Sequence, residues 1–328
     1  MKYTLNADTL RYRQSLPLEV KVVMTRNRIR NFITEYGTEG VYLSFSGGKD
    51  STVLMDIARQ VDNRIPAVFV DTWLEYPQIR SFVKTYDNVV TLKPTMGLKD
   101  IIRQYGWCFP SKDVAQIIWH ARQGKKWALN KLHGLDGNGK KSAYRQQYIK
   151  WLPLYESDLL ISPYCCIKQK EEPIARYEKQ TGRHPILAVM AEESARRKGA
   201  YLRTGCNSFE SARPLSKPMA FWKEQDVLRY KVLNHLAIAE PYGDVVEDGQ
   251  VAGQLSFIPT EGKLRCTGEQ RTGCMFCPVG CHLTNFGKFR RLKAYNPRLY
   301  DYCMEELEEK KLLEWVAKNY KRGYQRAA

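Results

Sequence analysis

A short polar run, residues 44–51, carries the side chains of this sequence that are best suited to chemistry. It reads Ser-Phe-Ser-Gly-Gly-Lys-Asp-Ser, follows an apolar strand-like run and precedes a helix-like segment. Gly47 and Gly48 let a backbone approach an anion closely, and the N–H groups of a helix start, with the Lys49 ammonium, attract negative oxygens. The spacing is neither that of a Walker loop nor Gly-x-Gly-x-x-Gly. We therefore predict a phosphate-binding turn; the alternative is a turn that only joins a strand to a helix. The predicted phosphate-binding residues are Ser44, Ser46, Gly47, Gly48, Lys49, Asp50 and Ser51.

Nine cysteines form the second group with chemical potential. Because the sequence starts without an apolar export signal, we expect metal binding or thiol chemistry rather than a disulfide framework. Four of the cysteines follow the spacing Cys-x7-Cys-x2-Cys-x3-Cys in a glycine-rich stretch, which suits tetrahedral zinc or a four-iron, four-sulfur cluster. The predicted metal ligands are Cys266, Cys274, Cys277 and Cys281.

The tandem pair Cys165-Cys166 leaves a second ligand set open, because adjacent cysteines and a Cys-x-x-Cys together can also hold a cluster. Zinc with His282 as a substitute ligand, and thiols without metal, are the other possibilities. Cys108 is predicted to be a core residue, since most isolated cysteines are small buried apolar side chains.

Strand-like and helix-like segments alternate along the sequence. Apolar runs at 41–45, 67–70, 89–92 and 185–190 predict strands, with helices between them. This order predicts an α/β fold, a mostly parallel sheet with helices on both faces. Ligands of such sheets bind beyond the carboxyl ends of the strands, so Asp71, at the end of the second strand, is expected near a bound nucleotide or its magnesium. The alternative for Asp71 is a helix N-cap.

Composition indicates the kind of partner. The chain of 328 residues has 52 Lys and Arg against 35 Asp and Glu, a net charge of +17. Such an excess favours a polyanion larger than a nucleotide, with nucleic acid first. No apolar stretch approaches the roughly 18 residues of a membrane span, so we expect a cytoplasmic protein without a membrane partner.

The basic charge is concentrated in residues 112–151, which hold nine Lys and Arg, two Asp and five interleaved Trp and Tyr. Cations hold phosphates and aromatic rings stack on bases, so this segment is predicted to bind nucleic acid. The alternative is a solvated helical hairpin. We expect a nucleotide-binding domain at 1–243 with a basic helical insertion at 112–155, followed by a cysteine-cluster and helical region at 244–328.

In combination, the motifs resemble the phosphoadenylyl-sulfate (PAPS) reductase family of the PP-loop ATP pyrophosphatase superfamily. The resemblance covers the turn at 44–51, Asp71-Thr72-Trp73, Cys165-Cys166 with Lys170 and Pro173, Glu193-Ser194-x-x-Arg197, and the run from Pro218 to Tyr230 with Pro241. It implies an adenine nucleotide α-hydrolase-like fold, ATP and Mg²⁺ as ligands, and Ser194 and Arg197 as further nucleotide-binding residues. Members share the nucleotide but not the second substrate.

Three departures from the family pattern help to choose among its activities. Sulfonucleotide reductases usually have an altered glycine turn, whereas this sequence keeps Lys49 and Asp50, as members that split ATP do. The carboxyl-terminal residues 320–328 lack the cysteine with which those reductases attack sulfate. The family's Gly-x-Arg-x-x-Glu-Ser has Ala188 and Met190 in place of its glycine and arginine.

The cysteine-rich region is similar to that of the iron–sulfur ATP pyrophosphatase of DNA phosphorothioation systems. The resemblance implies an enzyme that adenylates an acceptor, foremost a nucleic acid, for sulfur transfer. Lys49 and Asp50 would act on ATP, and Cys206 or Cys165, beside a ligating Cys166, would carry sulfur from a cysteine desulfurase or another donor. The alternatives are a sulfonucleotide reductase that releases sulfite, and a non-catalytic nucleic-acid-binding subunit.

Overall fold

The computed structural model describes residues 5–248 and 262–320. The chain divides into two compact units, Met1–Leu92 with Ile174–Gly273, and Lys93–Pro173 with Cys274–Ala328. The second unit is thus built from two separate stretches of sequence, whereas the sequence predicts a boundary at 243–244; that boundary stays a prediction. Parts of the predicted carboxyl-terminal region, 249–261 and 321–328, lie outside the described residues, as do residues 1–4.

The described residues form eight short strands. They are β1 Val41–Ser44, β2 Ala67–Val70, β3 Val89–Leu92, β4 His184–Ile186, β5 Asn207–Ser208, β6 Leu215–Ser216, β7 Val245–Glu247 and β8 Leu264–Cys266.

The described residues also form sixteen α-helices. They are α1 Ala7–Ser15, α2 Leu18–Tyr36, α3 Lys49–Arg59, α4 Pro77–Val83, α5 Leu98–Tyr105, α6 Lys112–Arg122, α7 Lys126–Leu132, α8 Arg145–Ile149, α9 Leu152–Glu156, α10 Tyr164–Cys166, α11 Glu172–Thr181, α12 Ala195–Thr204, α13 Glu224–Leu233, α14 Gly287–Tyr295, α15 Pro297–Glu305 and α16 Glu309–Asn319. A π-helical turn, Ile167–Glu171, joins α10 to α11.

Six strands of the first unit form one sheet in the order β3-β2-β1-β4-β6-β5. All neighbours in it are parallel except β5 and β6. Leu43 of β1 pairs with Ala67 of β2 on one side and with Ile186 of β4 on the other. β7 and β8 form a separate antiparallel pair. The predicted mostly parallel α/β sheet is therefore confirmed.

Both faces of this sheet are covered, as alternation along β1 shows. Val41 and Leu43 belong to the large core, together with residues of α2, α3 and α13. Tyr42 points to the opposite face and packs on Tyr177 of α11, with ring centroids 5.3 Å apart. Side chains on a strand alternate between faces, so an apolar strand without alternation requires a helical layer on each side.

The second unit is helical around its own buried residues. Helices α6 to α9 lie between residues 112 and 156 and so cover most of the predicted basic helical insertion at 112–155. The Arg122 guanidinium, at the end of α6, donates to the backbone carbonyl oxygens of Leu154, Tyr155, Ser157 and Leu159 and so holds α9 and the loop after it. Within the part of the chain that the structure describes, no helix has the length and apolarity that crossing a membrane requires.

Candidate functional site

The predicted phosphate-binding turn joins β1 to α3, and its first glycine is required by geometry. Gly47 has a φ of +69°, which residues with a side chain rarely adopt. A Cβ atom at Gly47 would lie only 2.8 Å from methyl carbons of Ile79 and Val83. Gly48 follows, and α3 begins at Lys49. The turn therefore brings a bare backbone and a helix start to one place, as an anion-binding site requires.

A cavity of about 350 Å³ opens beside this turn. It is lined by the turn after β1 and by residues 187–189 after β4, two strands that are neighbours in the sheet but far apart in sequence. The strand order reverses at this point, which is where doubly wound sheets bind ligands. Seven of the predicted nucleotide-binding residues line the cavity: Ser44, Ser46, Gly48, Lys49, Asp50, Ser51 and Arg197.

Lys49 is the buried cation of this cavity, with 3% of its surface exposed. Its Nζ lies 3.1 Å from a carboxylate oxygen of Glu224 and 3.4 Å from one of Asp50, and it donates to the backbone oxygen of Gln270 at 3.2 Å. Burial lowers the pKa of Lys49, but Asp50 and Glu224 together raise it by more, so its pKa is above the usual value. The ammonium is therefore charged and could exchange these partners for phosphate oxygens.

The serine hydroxyls of the turn hold one another. The Ser46 and Ser51 Oγ atoms are 3.1 Å apart, and the Ser51 hydroxyl donates to the backbone oxygen of Gly48 at 2.9 Å. The backbone N–H of Ser46 donates to Ser51 Oγ at 3.2 Å. These bonds fix the turn and place both hydroxyls at the cavity.

Two guanidinium groups face the same cavity from different elements. Arg197 lies in the first turns of α12 and pairs with Glu193, while Arg271 lies after β8, 4.0 Å from the other carboxylate oxygen of Glu193. Burial lowers the pKa of Arg197, and the positive charge of Arg271 lowers it further. One carboxylate is thus shared by two cations that repel each other.

The cavity also contains residues that the sequence reasoning missed. Tyr242 is buried, and its hydroxyl is 2.8 Å from Thr272 Oγ1; a Cβ atom added to Gly48 would lie 3.0 Å from that hydroxyl. Arg271, Thr272 and Glu193 also line the cavity or its wall. Tyr242 follows the motif residue Pro241 and Glu193 precedes Ser194, so the motifs could have indicated both. Arg271 and Thr272 lie outside the family motifs, in the spacer between Cys266 and Cys274.

Asp71 and Ser194, also predicted to bind the nucleotide, have local partners. Arg80 donates to both oxygens of the buried Asp71 carboxylate at 2.8 Å. Asp71 does not cap a helix, because α4 has Tyr76 at its N-cap. Ser194 caps α12 by accepting from the backbone N–H of Arg197 at 3.2 Å, and it lines a separate cavity of about 230 Å³.

In the second unit, Cys166 is the centre of a group of thiols. A hydrogen bond from Cys108, with smaller contributions from Lys112 and Lys170, lowers the pKa of Cys166 to about 6 against the effect of burial. Burial raises the pKa of Cys165, as do the neighbouring Cys274, Cys166 and Cys277 thiols. We call this group the thiol cluster; its members are Cys108, Cys165, Cys166, Cys274 and Cys277.

The other cysteines predicted to act lie in different surroundings. Cys266 ends β8 in the first unit; burial raises its pKa, Lys49 lowers it and Glu224 raises it. Cys281 is buried, and burial together with Glu309 and the nearby Cys277 raises its pKa to about 12. Cys206 is 5% exposed in the core of the first unit, and burial raises its pKa as well. Burial of that kind keeps a thiol protonated and shields it from reagents.

The thiol cluster offers the sulfur ligands that iron–sulfur and zinc sites use, but its described side chains are not arranged around one metal position. Among residues 5–248 and 262–320, no three His, Cys, Asp or Glu side chains are arranged to hold a single metal ion. None of the nine cysteines, all within the described ranges, forms a disulfide. The ligand set therefore stays a prediction. The thiols that influence one another include the tandem pair, Cys274 and Cys277, which form the second set that the sequence left open, and also Cys108 and Cys281.

Taken together, the fold and the cavity define an α/β protein whose predicted phosphate-binding turn lies at the reversal of strand order. Residues 40–103, which contain that turn, match the family model described as the phosphoadenosine phosphosulfate reductase domain. This match confirms, over residues 40–103, the family resemblance inferred from the motifs.

Two further comparisons are more distant. The chain is 20% identical over 276 residues to an uncharacterized protein of Methanocaldococcus jannaschii, and the match covers 81% of this chain but 47% of that protein. The chain thus spans about half the length of that curated relative. The crystal structure of the phosphoadenylyl-sulfate (PAPS) reductase from Candida auris, a phosphate complex, aligns with 13% identity and a TM-score of 0.39, covering 73% of this chain and 92% of that chain.

Proposed function

We propose that the protein is a PP-loop ATP pyrophosphatase that adenylates an acceptor for sulfur transfer, with a nucleic acid as the acceptor. The observation that carries the proposal is the intact turn with Lys49 and Asp50 at a cavity that also contains Arg197. A buried, charged ammonium at a helix start suits the leaving pyrophosphate of ATP. A reductase that binds an already activated nucleotide has no need of this arrangement.

In the first step, an acceptor oxygen attacks the α-phosphorus of ATP, and the bond between that phosphorus and the bridging oxygen to the β-phosphate breaks. The electron pair leaves with pyrophosphate, whose charge Lys49 neutralises. Mg²⁺, when bound, would add charge neutralisation at the same oxygens. Asp50, beside Lys49, keeps the ammonium charged before ATP arrives.

In the second step, the outer sulfur of a cysteine persulfide attacks the adenylated acceptor, and AMP leaves with the acceptor oxygen. The product is a mixed disulfide between acceptor and enzyme. A neighbouring thiolate then cleaves it, which releases the thiolated acceptor and leaves an enzyme disulfide for an external dithiol to reduce. Cys165, beside the predicted ligand Cys166, suits the persulfide role better than the core residue Cys206, because Cys165 is only partly buried. A cysteine desulfurase or another persulfide donor would supply the sulfur.

The nucleic acid would bind the basic helices of the second unit. Trp127 of α7 is 44% exposed and Tyr144 is 70% exposed. The Lys131 ammonium lies 5.7 Å from the Trp127 ring centroid and 5.5 Å from that of Tyr148. Exposed rings beside lysines suit an unpaired strand, because bases can stack while cations contact phosphates.

Pyrophosphate release tests the proposal. Purified protein is incubated with ATP and Mg²⁺, with and without single-stranded DNA or tRNA, and pyrophosphate and AMP are measured. We expect release that depends on the nucleic acid. ATP binding without pyrophosphate release, under every nucleic acid and persulfide donor supplied, would support a non-catalytic binding subunit instead.

The second candidate is a sulfonucleotide reductase. It is favoured by the name of the matching family model and by the thiol cluster, which holds a tandem pair and a Cys-x-x-Cys in one unit. Incubation with PAPS or adenylyl sulfate and a reduced dithiol distinguishes the two: sulfite release without ATP consumption would select the reductase.

A further inference from the structure

We propose that Arg271 is a phosphate-binding residue, and that it supplies the second guanidinium of the nucleotide cavity for the β- and γ-phosphates of ATP. The inference rests on the proposed function, since it concerns how the same cavity holds its pyrophosphate group. It assigns a role to a segment that lies outside the motifs of the sequence.

The first observation concerns the segment after β4, where position 190 is a methionine. Met190 is 3% exposed and packs in the large core of the first unit. The polar contact of Met190 at the cavity wall is made by its backbone N–H, which donates to Glu193 Oε2 at 3.0 Å. The segment after β4 therefore contributes no cation at position 190.

The second observation is that the loop carrying Arg271 is held against the phosphate-binding turn on both sides of that residue. On one side, the backbone oxygen of Gln270 accepts from Lys49 Nζ at 3.2 Å, and the Gln270 side chain donates to the backbone oxygen of Cys266 at 2.8 Å. On the other side, Thr272 contacts the Tyr242 hydroxyl at 2.8 Å. The backbone of Arg271 is thus fixed, while its side chain lines the cavity and remains 64% exposed.

The third observation is the charge balance. The charged side chains that line the cavity are three cations, Lys49, Arg197 and Arg271, and two carboxylates, Asp50 and Glu193. Both guanidinium groups use Glu193, and their mutual repulsion contributes to the lowered pKa of Arg197. A ligand with several negative charges relieves this repulsion. Planar guanidinium groups bind phosphate oxygens through two parallel hydrogen bonds, which a lysine cannot do.

The position of the loop indicates which phosphates are bound. A Cβ atom added to Gly48 would lie 3.7 Å from Thr272 Oγ1, so the residue after Arg271 is next to the turn itself. In the proposed reaction this turn holds the leaving pyrophosphate. Arg271 is therefore assigned to the pyrophosphate end of ATP and not to the adenylyl phosphate.

Calorimetric titration of the full chain with ATP, pyrophosphate and AMP, each with Mg²⁺, tests this assignment. Arg271→Ala should weaken ATP and pyrophosphate binding by about 10- to 100-fold, the loss of a charge-assisted hydrogen bond, and leave AMP affinity within about twofold. Arg271→Lys should fall between Arg271→Ala and the wild type, because the charge remains and the paired bonds do not. Arg265→Ala is the matched control: Arg265 lies on β8 and pairs with Asp248 at 3.4 Å.

The outcomes separate this inference from the proposed function. If Arg271→Ala binds ATP and pyrophosphate as tightly as the wild type while Lys49→Ala loses both, the assignment of Arg271 is wrong and the proposed function stands. An equal loss of AMP affinity would also overturn it, since Arg271 would then contact the adenylyl phosphate. A wild-type protein that binds neither ATP nor pyrophosphate would contradict both inferences. Unchanged thermal unfolding of Arg271→Ala excludes a folding defect.

Discussion

The nucleotide cavity of the first unit and the thiol cluster of the second are assembled in opposite ways. The cavity is built around a contiguous turn, 44–51, whose own residues supply the backbone, hydroxyl groups and ammonium. The thiol cluster draws on Cys108, the tandem pair and the Cys-x-x-Cys, which lie far apart in sequence. A contiguous motif is fixed by local geometry, whereas a dispersed set depends on the whole fold of its unit. Spacing in sequence therefore constrains the first kind of site more closely than the second.

Cys266 illustrates the difference. Its spacing from Cys274, Cys277 and Cys281 suggests one four-cysteine site. In the structure it belongs to the first unit, and the charges that act on its thiol are those of Lys49 and Glu224. The charges that act on Cys277 include those of Cys274 and Cys166.

The strongest test of the cavity is Lys49→Ala. We expect pyrophosphate release from ATP to fall by about 10²- to 10³-fold, because the buried ammonium would no longer stabilise the leaving group. A coupled pyrophosphate assay at saturating ATP measures the effect on turnover. Lys84→Ala, at an exposed lysine that caps the end of α4, is the control and should retain full activity. Full activity in Lys49→Ala would show that the turn is structural only.

The corresponding test of the thiol cluster compares Cys166→Ser with Cys266→Ser. After anaerobic purification, iron, sulfide and zinc are determined and the absorption near 400 nm is recorded. We expect Cys166→Ser to lose most of the bound metal, because a thiolate ligand would be replaced by a hydroxyl, and Cys266→Ser to keep it.

The opposite result, metal lost in Cys266→Ser and kept in Cys166→Ser, would support the ligand set predicted from spacing. Stoichiometric zinc in place of iron and sulfide would indicate a structural zinc site instead of an iron–sulfur cluster. Cys303→Ser serves as the control. Cys303 is buried on α15, and its raised pKa is due to burial and to Glu309.

Local patterns predicted the sheet and the turn well, and the reasons are physical. The first three predicted strands match β1, β2 and β3 to within a residue because short apolar runs between turns have few alternatives. The fourth, predicted at 185–190, ends at Ile186, since Leu187 to Val189 leave the sheet and line the cavity. β5 and β6 have two residues each, too few to leave a pattern.

The parts of the candidate site that sequence reasoning missed come from long-range contacts. Glu224 begins α13 and Gln270 follows β8, yet both contact Lys49. Cys108 was predicted to be a core residue; it is buried, and it also donates a hydrogen bond to Cys166. No local pattern reports such a pairing, because it depends on how distant segments of one unit pack.

A third comparison concerns the exposed aromatics of the two units. Trp127→Ala should weaken binding of a single-stranded oligonucleotide by about tenfold, the stacking of one base, as measured by fluorescence anisotropy at fixed salt. Tyr12→Ala is the control: Tyr12 is 67% exposed on α1 in the first unit, between Arg11 and Arg13. Equal losses in both variants would indicate general attraction to positive charge, and a loss in Tyr12→Ala alone would move the binding surface to the first unit.

The smallest expected effect concerns the contact that holds the cavity loop. Thr272→Val keeps the shape of the side chain but removes the 2.8 Å hydrogen bond to the Tyr242 hydroxyl. A neutral hydrogen bond of this kind contributes about 1 kcal/mol, so ATP affinity should fall by about fivefold while the affinity for AMP stays unchanged. Tyr242→Phe removes the same bond and also the hydrogen bond from the Lys49 backbone N–H, so its loss should be at least as large, and the double variant should lose no more than Tyr242→Phe alone. Additive losses would mean that Thr272 and Tyr242 contact the ligand separately, and the loop would then be a set of independent binding residues instead of a support for Arg271.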